Sequence, residues 1–189
     1  RWNRVAKEFA HHFPYTVVGT LVSMAVVWWV GTQQLSQGLG PELAGQARIG
    51  VVCQTTQQVR FVEQVLAEIR RQFPAMAIEF VDTVCKPTKD RQVAVEKLAA
   101  EVDVMVVVGG YNSSNTSHLA EMGEAKLPTY FIKNAAKMLS DRLIQHYEQH
   151  VNREIETQNW LPAGEATIGI TAGASCPNNL IEDTIRRLF

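Results

Sequence analysis

This chain lacks a surplus of charge, a pairing pattern for its cysteines, and any charge over a long N-terminal stretch. Its 18 Lys and Arg are balanced by 19 Asp and Glu, for a net charge of −1. That removes the electrostatic case for nucleic acid as a partner. The three cysteines, Cys53, Cys85 and Cys176, are an odd number, widely spaced and without a CxxC pair. They exclude a disulfide framework and fit a reducing compartment, so a cytoplasmic location is expected. From Phe13 to Pro41 there is no charged residue, and no histidine either. Within that stretch, residues 15–30 (YTVVGTLVSMAVVWWV) are mostly apolar, with Trp28 and Trp29 at one end and basic residues before the other. Aromatic and basic flanks are the dressing of a membrane anchor. The run is nevertheless shorter than the roughly 20 residues of a spanning helix, and Thr16, Gly19, Thr20 and Ser23 interrupt it. Two buried strands with a turn are expected there, rather than a membrane span. The first residue is Arg1, and a piece of something longer is expected.

The 189 residues, 46% of them hydrophobic, suffice to bury a core. Residues 31–46 (GTQQLSQGLGPELAGQ) read as a loop or linker. They close a divergent or truncated N-terminal segment, 1–46, ahead of a regular α/β region, 47–189. There, short apolar runs alternate with helical periodicity. Residues 48–53 (RIGVVC) predict a strand, and Val59, Val62, Leu66, Ile69 and Phe73 a helix ended by Pro74. Residues 77–84 predict a second strand, with a helix from Lys89 onward. The continuous run Val104–Val108 reads as a strand buried on both faces. A fourth strand is expected over residues 129–133. Ser140 is placed to cap a helix carrying Ile144, Tyr147, Val151 and Ile155 as its stripe. A last strand over 166–171 precedes a final helix, with Asn179 and Glu182 at capping-box spacing. Alternating strands and helices joined by short turns predict an α/β fold with a parallel sheet and right-handed crossovers.

Ligands of such sheets bind beyond the carboxyl ends of the strands. Those ends carry Gln54-Thr55-Thr56, Asp82–Cys85, Asn112–Asn115 and Ala174-Ser175, with hydroxyls, amides and a thiol but no Lys or Arg. After Val108, Gly109 and Gly110 break the strand, and six small polar residues, Asn112 to Ser117, lead into a helix. The free N–H groups of a first helical turn and small side chains around them make an anion site, with phosphate or diphosphate as its guest. A simple N-cap is the plainer reading, and it explains two or three such residues more easily than six.

The segment 82–92 (DTVCKPTKDRQ), the NSSN loop at 112–115 and TAGAS at 171–175 stand in order. VVCQTTQ precedes them and NWLP lies between the last two. On these motifs the chain resembles the 4-hydroxy-3-methylbut-2-enyl diphosphate reductases, iron–sulfur enzymes that end the non-mevalonate isoprenoid pathway. The resemblance covers about residues 46–189. It implies two of the three α/β units of a trefoil built around a 4Fe–4S cluster, and an allylic diphosphate as substrate. It further implies reductive removal of an allylic hydroxyl, with electrons from ferredoxin or flavodoxin. By motif, Cys85 is implied as a cluster thiolate. Ser113, Ser114, Asn115 and Ser175 are implied as diphosphate ligands, and Thr55 as a proton relay beside the substrate's hydroxyl-bearing carbon. The family holds its cluster with three cysteines, and neither Cys53 nor Cys176 stands in a cluster motif. Its His- and Glu-bearing loop has no counterpart in residues 13–41. The expectation is therefore an incomplete chain that does not bind a cluster by itself; the alternative is a non-catalytic, diphosphate-binding or interaction domain of the same descent.

Outside the motifs, Cys53 and Cys176 are expected as packing residues. His118 is expected on a helix surface, and His146 and His150 on a solvated helix face. Arg91 is left between a phosphate contact and a helix cap.

Overall fold

The computed structural model describes residues 48–189. The expectations for residues 15–30, for the loop 31–46 and for the segment 1–46 with its boundary lie outside them. The described chain divides into two compact units. One contains β1 (Arg48–Val52), β2 (Ala77–Val81) and all but the first residue of α1 (Val59–Gln72). β1 and β2 pair in parallel, Val51 opposite Phe80. α1 buries Val62, Leu66 and Ile69, the i, i+4, i+7 stripe predicted for it. At the strand ends the Cys53 N–H donates to the Thr83 hydroxyl at 3.0 Å. Cys53 thus follows its strand instead of lying within it.

The second unit holds residues 54–59 and 84–189. Its centre is a parallel three-stranded sheet in the order β4 (Thr129–Ile132), β3 (Val104–Val108), β7 (Ile168–Ala172). All five β3 residues are fully buried. Alternation sends them to two separate cores. Val104, Val106 and Val108 pack with Ile132, Met138, Ile144 and Trp160, and with Leu180, Ile181 and Leu188 of α4 (Asn178–Leu188). Met105 and Val107 pack with Val95 of α2 (Lys86–Leu98), Phe131, and Leu119 and Ala120 of α3 (Ser114–Glu124). Each fully buried large apolar side chain of this double-faced strand stabilises the unit by about 1.5–3 kcal/mol.

Four expectations need correction. The segment predicted as a Ser140-capped helix is an antiparallel hairpin, β5 (Leu143–Glu148) with β6 (Arg153–Gln158), His146 facing Ile155 and Ile144 facing Thr157. Its apolar spacing suits a helix, but the structure buries Ile144 and His146 at period two and leaves Val151 53% exposed in the turn. Asn152 takes φ 58°, a left-handed conformation that asparagine tolerates. Ser140 instead accepts Arg142 N–H on its hydroxyl and the Trp160 indole N–H on its carbonyl. α2 starts at Lys86, earlier than predicted, because Pro87 sits in its first turn, where a missing N–H costs nothing. α4 starts at Asn178 after Pro177 and has no side-chain cap, so the Asn179–Glu182 capping box does not form. Finally, His146 is buried: a ring nitrogen lies 2.8 Å from the Thr157 hydroxyl, and the ring meets Tyr130 edge-on. Burial pushes its pKa down.

Candidate functional site

The site grows from the end of β3. Beyond Val108 the chain turns through Gly109 and Gly110, and Ser113 becomes the N-cap of α3. Its hydroxyl accepts from the Thr116 N–H at 3.4 Å and the Thr116 hydroxyl at 2.9 Å, the bond that favours serine at this position. Ser114 and Asn115 then occupy the first two helical positions, whose N–H groups lie outside the intrahelical ladder. No acidic residue of the helix itself stands in this first turn to offset the positive end of its dipole. Ser114 and Asn115 are thus part of the helix, one step deeper than a loop reading places them.

Thr116 explains the glycines around it. It is 1% exposed, and Cβ atoms added at Gly109 and Gly173 would come within 2.9 Å and 2.0 Å of its side chain. Such a Cβ at Gly173 would lie 3.7 Å from the Ser113 hydroxyl. The TAGAS loop is therefore pressed against the cap of α3. Its Gly173 N–H donates to Val108 O, and the Cys176 N–H returns to Gly173 O. Ser175 stands exposed on this loop. Arg91 reaches over from α2 and donates its Nε–H to Ala172 O at 3.0 Å. A cation thus serves this corner even though no strand end carries one. Its Nε–H bonds a carbonyl at the end of β7 and so ties α2 to that strand.

The remaining residues are held by the turn at 54–57. The Ser114 hydroxyl accepts from Thr56 at 3.1 Å, and His118 Nδ1 donates to Thr56 O at 2.9 Å. His118 is 8% exposed, which corrects its expected place on a helix surface. Gln92 bridges the same turn, accepting from Val59 N–H and donating to Gln57 O. Thr55 is exposed in this turn, and its carbonyl accepts the Cys85 N–H at 3.0 Å. The structure so brings Thr55 beside Cys85 and ties their turn to Ser114. Sequence reasoning missed His118, Thr116 and Gln92 as the residues that fix this geometry. A histidine or glutamine in a polar helix face carries no local sign of the distant carbonyl it meets.

Two electrostatic features follow. Cys85 is the N-cap of α2 and its sulfur lies 3.0 Å from the Thr88 hydroxyl. That hydroxyl, helped by backbone N–H groups of the helix start, holds the thiol below its usual pKa. Cys176 is the reverse case, its pKa pushed up by burial. The second feature is Asn115, which is 5% exposed. Neither Oδ1 nor Nδ2 has a hydrogen-bond partner among the described residues. An unsatisfied buried amide costs on the order of 1–3 kcal/mol, and native structures rarely leave both ends unmade.

A family model described as LytB protein matches residues 10–189. The chain belongs to the LytB family. It is 43% identical over 152 residues to the 4-hydroxy-3-methylbut-2-enyl diphosphate reductase of Gloeobacter violaceus, covering 75% of this chain and 36% of that protein. Against the same-named reductase of Picosynechococcus sp. it is 37% identical over 170 residues, 82% of this chain and 40% of that one. The solved E-1-hydroxy-2-methyl-but-2-enyl-4-diphosphate reductase of Plasmodium falciparum shares its fold, with a TM-score of 0.55 at 20% identity. That match covers 74% of this chain and 38% of the other. The chain spans about two fifths of the length of these LytB relatives. The α/β reading is borne out, with parallel sheets in both units and one antiparallel hairpin added.

The 4Fe–4S cluster implied by the resemblance does not fit the described residues alone. Among them, no group of three or more His, Cys, Asp or Glu side chains is placed to hold a metal. The Cys85 thiol is held below its usual pKa by the Thr88 hydroxyl, which suits a metal ligand, whereas burial pushes the Cys176 thiol up. Among the described residues, no helix is long and apolar enough to cross a membrane.

Proposed function

We propose that residues 47–189 carry the diphosphate-binding loops of a LytB-type reductase, with 1–46 a divergent segment before them. The substrate is 4-hydroxy-3-methylbut-2-enyl diphosphate, and the reaction removes its allylic hydroxyl as water with two electrons and two protons, giving isopentenyl and dimethylallyl diphosphate. In this reading the Ser113 and Ser175 hydroxyls, the N–H groups of Ser114 and Asn115, and the Asn115 amide bind the diphosphate. Neutral donors bind the anion by hydrogen bonds aimed from a preorganised helix start. The Thr55 hydroxyl, exposed beside Cys85, moves a proton at the substrate's hydroxyl-bearing carbon. Cys85, with its lowered pKa, is the residue suited to ligate a cluster completed by donors outside the described residues. A ferredoxin- or flavodoxin-type protein in the cytoplasm supplies the electrons.

The observation that carries this reading is the buried Asn115 amide at the positive end of α3, which has no hydrogen-bond partner among the described residues. Titration calorimetry with inorganic pyrophosphate and with isopentenyl diphosphate tests it. The chain should bind both saturably, and Asn115→Ala should weaken each by about tenfold or more, the effect of losing hydrogen bonds to a charged group. Absence of saturable binding, or unchanged affinity in the variant, would falsify the diphosphate site. The DNA upstream of Arg1 separates this reading from the non-catalytic, diphosphate-binding domain: an open frame there encoding two further cluster cysteines supports the reductase, and an intact start codon near Arg1 supports the non-catalytic domain.

A further inference from the structure

The NSSN loop is gripped from outside by an element that the anion site does not itself contain. Tyr111, two residues before Ser113, stacks its ring on Tyr147 of β5, with centroids 4.5 Å apart and planes 13° from parallel. Both rings stand edge-on to Phe131 of β4, at 5.2 Å and 5.9 Å. The Tyr111 hydroxyl donates to Glu154 of β6 at 2.8 Å, and Lys137 holds the same carboxylate. Lys137 also donates to Gln145 of β5 at 2.6 Å, and the Tyr147 hydroxyl meets the Asn152 side chain in the hairpin turn. On the far side of the loop, Gln149 Nε2 donates to Ser117 O at 3.3 Å. One hairpin thus fastens the chain just before the cap of α3 and again one turn into the helix.

Stacked and edge-on aromatic contacts contribute about 0.5–1.5 kcal/mol each beyond their buried area. Here they hold a loop whose glycines leave it little intrinsic stiffness. We propose that the β5–β6 hairpin is the brace that fixes the anion loop, with Tyr111, Tyr147 and Glu154 as positioning residues for the diphosphate. They touch no ligand: they set the direction of the N–H groups that do. This rests on the diphosphate reading of the loop, and on geometry that is independent of it.

The test pairs pyrophosphate calorimetry with amide hydrogen exchange on the same proteins. Tyr147→Ala should speed exchange over residues 110–117 about tenfold, with the amides of β3 unchanged, as expected for a local opening. The same variant should weaken pyrophosphate about tenfold, because misaligned donors lose most of their interaction. Tyr147→Phe keeps the ring and should restore both readouts. Should Tyr147→Ala fail to fold, Glu154→Ala on the exposed side of β6 should show both effects at about threefold, the size of one surface hydrogen bond. Loop exchange or pyrophosphate affinity equal to wild type in the ring-deleted protein overturns the brace. If the wild-type chain binds no pyrophosphate, the diphosphate reading falls, and loop exchange alone decides the brace.

Discussion

Two stretches of the second unit meet at one loop and are built on opposite terms. From Val104 to Glu124 the chain is organised by burial: β3 has no exposed residue, and α3 buries Asn115, Thr116, His118, Leu119 and Ala120. From Leu143 to Gln158 it is organised by pairing: β6 follows a half-exposed alternation, and β5 contributes Ile144 and His146 to the interior. The first stretch leaves no alternative conformation, because five consecutive apolar residues covered on both faces suit only a central strand. The second has an apolar spacing compatible with two periods, and tertiary contacts choose between them. The loop before α3 takes its backbone from the first stretch, and Tyr111 in it stacks on Tyr147 of the second.

The sharpest way to break the first stretch is at its closest contact. Gly173→Ala would set a methyl group 2.0 Å from the hydroxyl of a fully buried Thr116. Thr116 is 1% exposed, which leaves its side chain little room to move away. A loss of about 3 kcal/mol or more is expected, read as a lower denaturation midpoint. Gly110→Ala, where a Cβ meets nothing within 4 Å, should change stability by about 0.5 kcal/mol or less.

A smaller effect separates hairpin from helix in the second stretch. A helical stripe would bury Ile144 and Val151 alike. The hairpin buries Ile144 completely and leaves Val151 53% exposed. Ile144→Ala should therefore cost about 2–4 kcal/mol in urea denaturation. Val151→Ser should stay within about 0.5 kcal/mol, and an equal cost at both sites would restore the helix.

These contrasts also show what in the sequence was legible. Apolar runs located β1, β2, β3, β4 and β7, and helical stripes, or for α3 the polar run after the glycines, located the four α-helices of the described residues. The NSSN and TAGAS segments were expected to share one site, and the structure does bring Gly173 close to the Ser113 hydroxyl. The hairpin was hidden because Ile144, Tyr147, Val151 and Ile155 fall near helical spacing. The signals for it were the alternation of residues 154–158 (EIETQ) and Asn152 in a turn position. The ties of His118, Gln92 and Arg91 were illegible for a different reason. Each depends on a backbone carbonyl or N–H brought near by the fold, which one-dimensional spacing does not encode.

Thiol chemistry extends the comparison to the two cysteines of this unit. Cys85 at the start of α2 has its pKa lowered by the Thr88 hydroxyl, whereas burial raises that of Cys176. At neutral pH, iodoacetamide should alkylate Cys85 first, because only the thiolate reacts. Thr88→Ala should slow that reaction by about two- to fivefold, as loss of one hydrogen bond to the thiolate implies. Equal rates at Cys85 and Cys176 would remove the electrostatic distinction between them.

The smallest expected effect tests whether the hairpin's hold on the loop is partly ionic. Hydrogen bonds from Lys137, then from Tyr111, depress the pKa of Glu154 below its ordinary 4.5. A carboxylate whose folded pKa is depressed contributes stability above its unfolded value, and that contribution is lost as pH falls through the folded value. Because Glu154 is solvent-accessible, the contribution is about 0.5 kcal/mol or less. Acidification from pH 6 to below pH 4.5 should therefore leave β3 protected and raise hydrogen exchange around Tyr111 only modestly, measured against the intrinsic exchange rate at each pH. In Glu154→Gln the acid-induced step around Tyr111 should vanish, while the stacked rings still hold the loop. If the step persists in that variant, the acid sensitivity belongs to another group, and the aromatic stack alone secures the brace.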